Sequence, residues 1–373
     1  MNRKTAFGML SVAMVLVLLL GSLSGCKPSS VEKGIPSEST GEETPTEPIV
    51  EEYSAGTLVF RPDGVASLYG EGGTVIKTYT GWLTEQYDRD NDAPWKADKT
   101  EIVKVVIEDG VAPAHTDYWF YFYFDLTDIT IGNGVTGIGD SMLTACHGLT
   151  EITIPNSVTT IESLAFASCT GLTSITLPNS IRSIGEGAFG DCTGLRHVTI
   201  PDGVTSIGDR VFAGCTSLVD IAIPNSVTSI GIALFSECKS LTGVTLPDGI
   251  TSIGHSMFFR CASLTGVAIP DSVTVIESKA FSGCTNLTDI ALPKGVTEIG
   301  SFGFEDCESL TEITIPDSVT IIQGDVILDC INLSSIIFEG TIAQWNAITK
   351  AYVWYDRAPV QSVQCSDGTV SLN

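Results

Sequence analysis

Positive charge is scarce in this sequence: 19 Lys and Arg stand against 44 Asp and Glu over 373 residues, a net charge of −25. Binding to phosphates needs clustered cations, and no basic patch stands out, so nucleic acid is not expected as a partner. An anionic membrane surface repels such a body as well. Histidine is scarcer still. His115, His147, His197 and His255 lie far apart and at unrelated positions, so no Ser-His-Asp set can be assembled around any of them. The sequence has no Gly-rich phosphate loop and no CxxC-like spacing that would gather metal ligands. The apolar run from Met9 to Leu20 is short of the ~20 residues that cross a bilayer. An enzyme, a metal site and a resident cofactor are therefore not expected.

What the sequence has in abundance is repetition. Cys146, Cys169, Cys192, Cys215, Cys238, Cys261, Cys284, Cys307 and Cys330 follow one another at steps of 23 residues without insertion or deletion. Other columns travel with them: Leu149, Leu172 and Leu195 onward; Ile152, Ile175 and Val198; Ile154, Leu177 and Ile200; Pro155, Pro178 and Pro201; Phe166, Phe189 and Phe212. A fixed period of this size is the mark of a solenoid, in which no unit buries its apolar side alone and neighbours supply the cover. Within a unit, L-T-x-I-x-I/L alternates apolar and polar residues, which predicts a short strand with one buried face. Pro ends that strand because it cannot donate to the ladder. N-x-V-T-x-I-G is expected to turn the corner, and G-x-x-A-F-x-x-C to form one short helical turn or an irregular loop. The predicted fold is a mostly β repeat solenoid: a right-handed spiral with one parallel β-sheet face and β-rich caps at both ends.

Exported proteins usually place cysteines in disulfides. Here the array count is odd, every cysteine occupies the same position in its unit, and its neighbours are the apolar Phe and Leu columns. Free, buried thiols are the expectation.

The chain divides into five parts. Residues 1–25 carry Arg3 and Lys4 ahead of the apolar run, the pattern of a secretory signal peptide. Leu23-Ser24-Gly25-Cys26 resembles the bacterial lipobox, which makes Cys26 the expected lipidation site and mature N-terminus. Residues 26–54, rich in Pro, Ser, Thr, Gly and Glu, read as a disordered acidic tether. Residues 55–125 form the N-terminal cap, with a hairpin signal around Arg61-Pro62-Asp63-Gly64 and a degenerate first coil at Ile102 to Val111. Tyr118 to Phe124, aromatic throughout, is expected to delay the next coil and cap the open core. Asp88-Arg89-Asp90-Asn91-Asp92 begins like a calcium loop, but Ala93 and Lys99 stand where Gly and Glu are needed, so a solvated turn is expected. The array spans 126–338 and a C-terminal cap spans 339–373.

Between the buried columns each strand exposes two side chains. One exposed column includes Thr153, Thr176, Thr199, Thr245 and Thr314; the other includes Glu151, His197, Asp220, Asp289 and Glu312. These ten are the candidate binding residues. The surface they make is broad, polar and without the aromatic anchors of tight interfaces, suiting many weak contacts. Ten such strands at ~4.8 Å give a face ~43 Å long.

The unit L-T-x-I-x-I-P-x-x-V-T-x-I-G-x-x-A-F-x-x-C, as in Leu149 to Cys169, resembles the BspA-like, or Treponema-type, leucine-rich repeat. The resemblance extends to the ends: Ala93-Pro94-Trp95 with Ile102 to Val111, Phe338-x-Gly340-Thr341-x-x-Gln344-Trp345, and Val363-x-Cys365-x-Asp367-Gly368. Gly132 and Leu143, where Pro and Phe are usual, mark an opening coil. The resemblance implies an extracytoplasmic surface protein, lipid-anchored on the cell or outer membrane, that acts in adhesion and has no shared catalytic residues. The expected partner is a protein, either host matrix or another cell surface, and the expected state is monomeric. The alternative is a carbohydrate-binding envelope module, for which Trp82, Trp119 and Tyr121 are the aromatic candidates.

Overall fold

The structure, a computed structural model, describes residues 53–89 and 91–372. The expected signal peptide, Cys26 and nearly all of the expected tether lie outside the described residues, as does Asp90 of the calcium-like run. The rest winds into a β-solenoid of about eleven turns with a capping sheet at its N-terminal end. Each coil takes the name of its cysteine.

The first face is the one expected. Its strands include Asp128–Ile131, Ser174–Thr176, His197–Thr199, Asp220–Ala222, Gly243–Thr245, Glu312–Ile315 and Ser335–Phe338. They pair in parallel with partners 23 residues apart, such as His197 beside Ser174 and Ile221 beside Val244. Single bridges through Thr130, Thr153 and Thr176 tie in the Cys169 coil. A slip of one residue would turn Ile175, Val198 and Ile221 into water, so the repeat fixes the register.

A second face was not expected. The stretch read from sequence as a corner forms its own parallel ladder, from Gly137–Ile138 through Thr160–Ile161, Ser183–Ile184 and Ser206–Ile207 to Ser229–Ile230. A further run begins at Ser252–Ile253 and ends at Thr349–Lys350 of the C-terminal cap. The reason lies in V-T-x-I, which buries Val and Ile while Thr faces out. The Thr hydroxyl then donates to the carbonyl one coil back, as in Thr159 to Thr136, Thr228 to Thr205 and Thr297 to Thr274, at 3.2–3.4 Å.

The third side is neither a helix nor an irregular loop. Two residues per coil take left-handed φ, for example Leu164 (55°) and Ser168 (58°), or Arg210 (54°) and Gly214 (73°). Their amides, with the Phe amide between them, donate to the next coil: Leu164 to Glu186, Phe166 to Ala188 and Ser168 to Gly190, at 2.7–2.8 Å. This ridge closes the polar backbone account on the side opposite the first face.

Inside, seven phenylalanines from Phe166 to Phe304 stack ring on ring, with centroids 5.2–6.1 Å apart and planes within 16° of parallel. The nine array cysteines are buried and free.

At the N-terminal end Thr57–Phe60 and Ala66–Tyr69 form the expected antiparallel hairpin, extended by Val75–Tyr79. Thr57–Phe60 also runs parallel to Lys104–Ile107, which pairs with Asp128–Ile131. The aromatic run does not delay the next coil. Tyr118 and Phe122 take the left-handed conformation and donate to Asp140 and Thr144, continuing the ridge in step. Tyr123 thus stands in the cysteine column and Phe120 in the Phe column. The extra residue of the first coil falls earlier, since Ile107 pairs with Ile131, 24 residues on. Trp82, Trp95 and Trp119 pack around Phe60 and are wholly buried. Trp82 and Trp119 are therefore core, not the exposed aromatics taken from sequence.

The other end is closed by the helix Ile342–Ala347, whose start is fixed by a capping box between Thr341 and Gln344. Trp345 of this helix is buried and packs on the buried Trp354, and Ser362–Cys365 with Gly368–Ser371 extends the first face.

Candidate functional site

The first face carries the candidate binding residues because strand alternation and the 23-residue period act together. Glu151, Thr153, Thr176, His197, Thr199, Asp220 and Thr245 are exposed, as are Asp289 and Glu312, while Thr314 is half-buried. The structure places Thr153, Thr176 and Thr199 directly side by side, and His197 beside Asp220. His197 Nδ1 lies 3.0 Å from Asp220 Oδ1. Both side chains are well exposed, so the pair adds little to stability and its chemistry is open to a partner. Glu312 and Thr314 belong to a separate stretch, since the ladder is interrupted between Gly243–Thr245 and Glu312–Ile315, and Asp289 lies within the interruption, its coil joined to that stretch only by the Ala291–Thr314 bridge.

At the N-terminal end of this face is a shallow groove of about 450 Å³ floored by Thr130, Thr153 and Thr176, with Asp128, Glu151 and Ser174 beside them. Asp128 was not among the residues read from sequence as part of this column, although it stands one coil before Glu151; Ser174 follows Glu151 in the same column. Asp128 reaches Lys104 of the preceding strand at 2.9 Å. Apart from Lys104 and His197, the charged groups named on this face are acidic.

A second exposed feature lies on the ridge of the first coil. Tyr121, Phe122, Phe124 and His147 form a row with ring centroids 4.0, 5.6 and 5.0 Å apart. Phe122 and Phe124 are 39% and 47% exposed, and Tyr121 is half-buried. On either side of Asp90 the carboxylates of the calcium-like run have protein partners: the Asn91 amide donates to Asp88 Oδ1 at 2.8 Å, and Asp92 pairs with Lys96. Among the described residues no group of three or more acidic, His or Cys side chains is placed to hold a metal ion.

The thiol column is structural. Each array thiol donates to a carbonyl 26 residues back, as Cys192 to Phe166 and Cys238 to Phe212, at 3.0–3.3 Å. Burial pushes the thiols up, Cys169, Cys284 and Cys330 to about 12, so they stay protonated and poor nucleophiles at neutral pH. All nine are expected to resist alkylation in the native protein and to react once it is denatured without reductant; bridged peptides in mass spectrometry would contradict this. Cys238→Ala is expected to cost on the order of 1 kcal/mol, because the Phe212 carbonyl keeps the Cys215 amide as a donor. A urea-midpoint shift of several times that would show the thiol bond to be a major tie between coils.

Comparison with known proteins agrees with the repeat. The BspA type leucine rich repeat region, in six copies, matches residues 114–242 and 228–349. A leucine rich repeat protein of T. pallidum is 34% identical over 43% of this chain and 78% of its own, with a TM-score of 0.41. A leucine rich cell surface protein of Faecalibacterium prausnitzii is 27% identical over 78% of this chain and 95% of its own, with a TM-score of 0.44. A leucine-rich repeat protein of Bacteroides ovatus is 21% identical over 82% and 91%, with a TM-score of 0.48. No curated protein sequence matches. With its unbroken 23-residue period and its matched array, the chain belongs to the BspA type leucine-rich repeat proteins.

Proposed function

We propose that this protein is carried to the cell surface, held there by lipid on Cys26, and binds another protein through the first face of its solenoid. The observation that carries the reading is the exposed double column. From Thr153 to Thr245 polar side chains project from a hydrogen-bonded sheet whose other side is core, so they are free to contact a partner at no expense to folding. Such a surface binds by summing modest contacts over a rigid array.

The test is Thr199→Lys combined with Thr245→Lys. Both sites are exposed, so stability is expected to stay within about 0.5 kcal/mol. Two large cations set into the contact area are expected to reduce binding to the partner, identified by crosslinking on intact cells, by at least ~10-fold. A folded double variant that binds as before removes the first face as the site.

The ring row on the first coil favours a second reading, a carbohydrate-binding envelope module, since stacked aromatics suit the apolar faces of sugars. A glycan array with signal that Phe124→Ala abolishes would favour it; a blank array beside a captured protein would dismiss it.

A further inference from the structure

Both ladders of the solenoid part at the Cys261 coil, on opposite sides of it. On the second face one sheet ends at Ser229–Ile230 and the next begins at Ser252–Ile253, so the parting lies between the Cys238 and Cys261 coils. On the first face the middle sheet ends at Gly243–Thr245, residues 265–269 of the Cys284 coil and 288–290 of the Cys307 coil form no strand, and the ladder resumes only at the single Ala291–Thr314 bridge, so that parting opens between the Cys261 and Cys284 coils and runs on into the Cys307 coil. The amide steps from Thr228 to Thr205 and from Thr274 to Thr251 have no counterpart from Thr251 to Thr228 among the described residues. On the ridge side the ties run unbroken through both joints: Phe235 donates to Met257 at 3.0 Å and Phe258 to Ala280 at 2.8 Å, the Phe235, Phe258 and Phe281 rings stay stacked, and Cys261 and Cys284 keep their thiol bonds.

Packing loosens at the same place. Ile230, Val244, Val267 and Ile269 are only half-buried, whereas their counterparts Ile207, Val198, Ile221 and Ile223 are 2–6% exposed. A Cβ added at Gly231 would lie 2.3 Å from the Asp209 amide nitrogen, but one at Gly254 would meet nothing nearer than 3.7 Å. The Cys261 coil has drawn away from the coil before it on that side.

Named residues account for the two partings. Gly243 and Gly266 hold the same column position in the two coils that border the start of the first-face gap, where other coils place Ser174, His197 or Asp289. Glycine lacks a side chain to pack on a sheet and pays more entropy to be held in one. On the second face Glu277 stands in the column held by Gly185, Gly208 and Gly231. Its carboxylate accepts from the Ser252 hydroxyl and the His255 amide, both at 2.9 Å, and so ties the Cys261 coil forward. In the coil before, the corresponding Ile232 amide donates backward to Asp209 at 2.9 Å.

We propose that the Cys261 coil is a hinge. Each of its joints keeps the ridge and one sheet and lacks the other, so the two halves of the solenoid flex about the ridge and vary the angle between the Glu151–Thr245 and Glu312–Thr314 stretches of the first face. A partner spanning both stretches selects one angle. An unhinged solenoid of the same length would present one fixed curvature.

The experiment places spin labels in the Cys26→Ala chain, whose other cysteines are all buried. One pair, Asp128→Cys with Asp220→Cys, spans four coil steps on the N-terminal side; the other, Asp220→Cys with Glu312→Cys, spans four steps across the hinge. Each span is ~19 Å. The distance distribution across the hinge is expected to be at least ~2-fold broader, and to narrow when Gly243→Ser, Gly266→Ser and Glu277→Gly are combined. Amide exchange on the unsubstituted chain gives an independent reading: Thr251 is expected to exchange at least ~100-fold faster than Thr228 and Thr274. Equal widths for the two pairs, a width untouched by the three substitutions, or equal protection of the three threonine amides would each overturn the hinge.

Discussion

Phe212→Ala is expected to lower folding stability by about 3–5 kcal/mol, several times the cost of Cys238→Ala. Phe212 is wholly buried and stacks on Phe189 at 5.7 Å and on Phe235 at 6.1 Å, so one truncation opens a void bounded by three coils. The column cannot collapse to fill it. The ridge amides of Phe189 and Phe212 donate to Val211 and Leu234, and both faces of these coils are laddered, which holds the backbones at their spacing. In a linear array each coil is stabilised only by its neighbours, so the damage also uncouples the coils on either side. Urea unfolding should show an earlier midpoint and a broader or stepped transition. A shift no greater than that of Cys238→Ala would mean that the ladders, and not the ring stack, hold neighbouring coils together.

That contrast bears on what could be read from sequence. The Phe, Leu, Ile and Cys columns were legible because burial constrains each of them at every 23rd residue. The first face followed from them, since alternation about Ile152 and Ile154 leaves Glu151 and Thr153 outside. The second face was missed because its strands are two residues long, too short for period-two alternation to register, and Thr159 passes for a turn residue. Its hydroxyl in fact bonds to the coil before. The ridge carried a partial signal: the residue before cysteine is often Gly, Asp or Ser, as in Ser168, Asp191 and Gly214, the types that accept left-handed φ. The other left-handed position holds Leu164, Arg210 and Phe302, which prefer otherwise and are held by their donation to the next coil. Tyr118 to Phe124 misled because composition hid the period. Trp82 and Trp119 looked available only because nothing in sequence says which aromatic meets Phe60. The acidic, polar character of the candidate face was readable; its division at Gly243 and Gly266 required seeing the ladder stop.

Cys26→Ala is expected to move the protein out of the membrane fraction almost completely. Two acyl chains on one residue hold a soluble body on a bilayer because each buried CH₂ contributes about 0.8 kcal/mol, whereas one chain alone binds only marginally. Among the described residues no helix is long and apolar enough to cross a membrane, and the net charge of −25 opposes contact with anionic headgroups. The exposed rings of Phe122 and Phe124 are too few to substitute for two chains. Fractionation with a mass measurement separates the outcomes. A soluble protein, or a membrane-bound precursor that still carries residues 1–25, is the outcome expected if Cys26 is the lipidation site proposed above. A chain trimmed to its mature length that stays with the membrane would show that something other than Cys26 anchors it. The surface reading would then rest on a contact made by the solenoid itself.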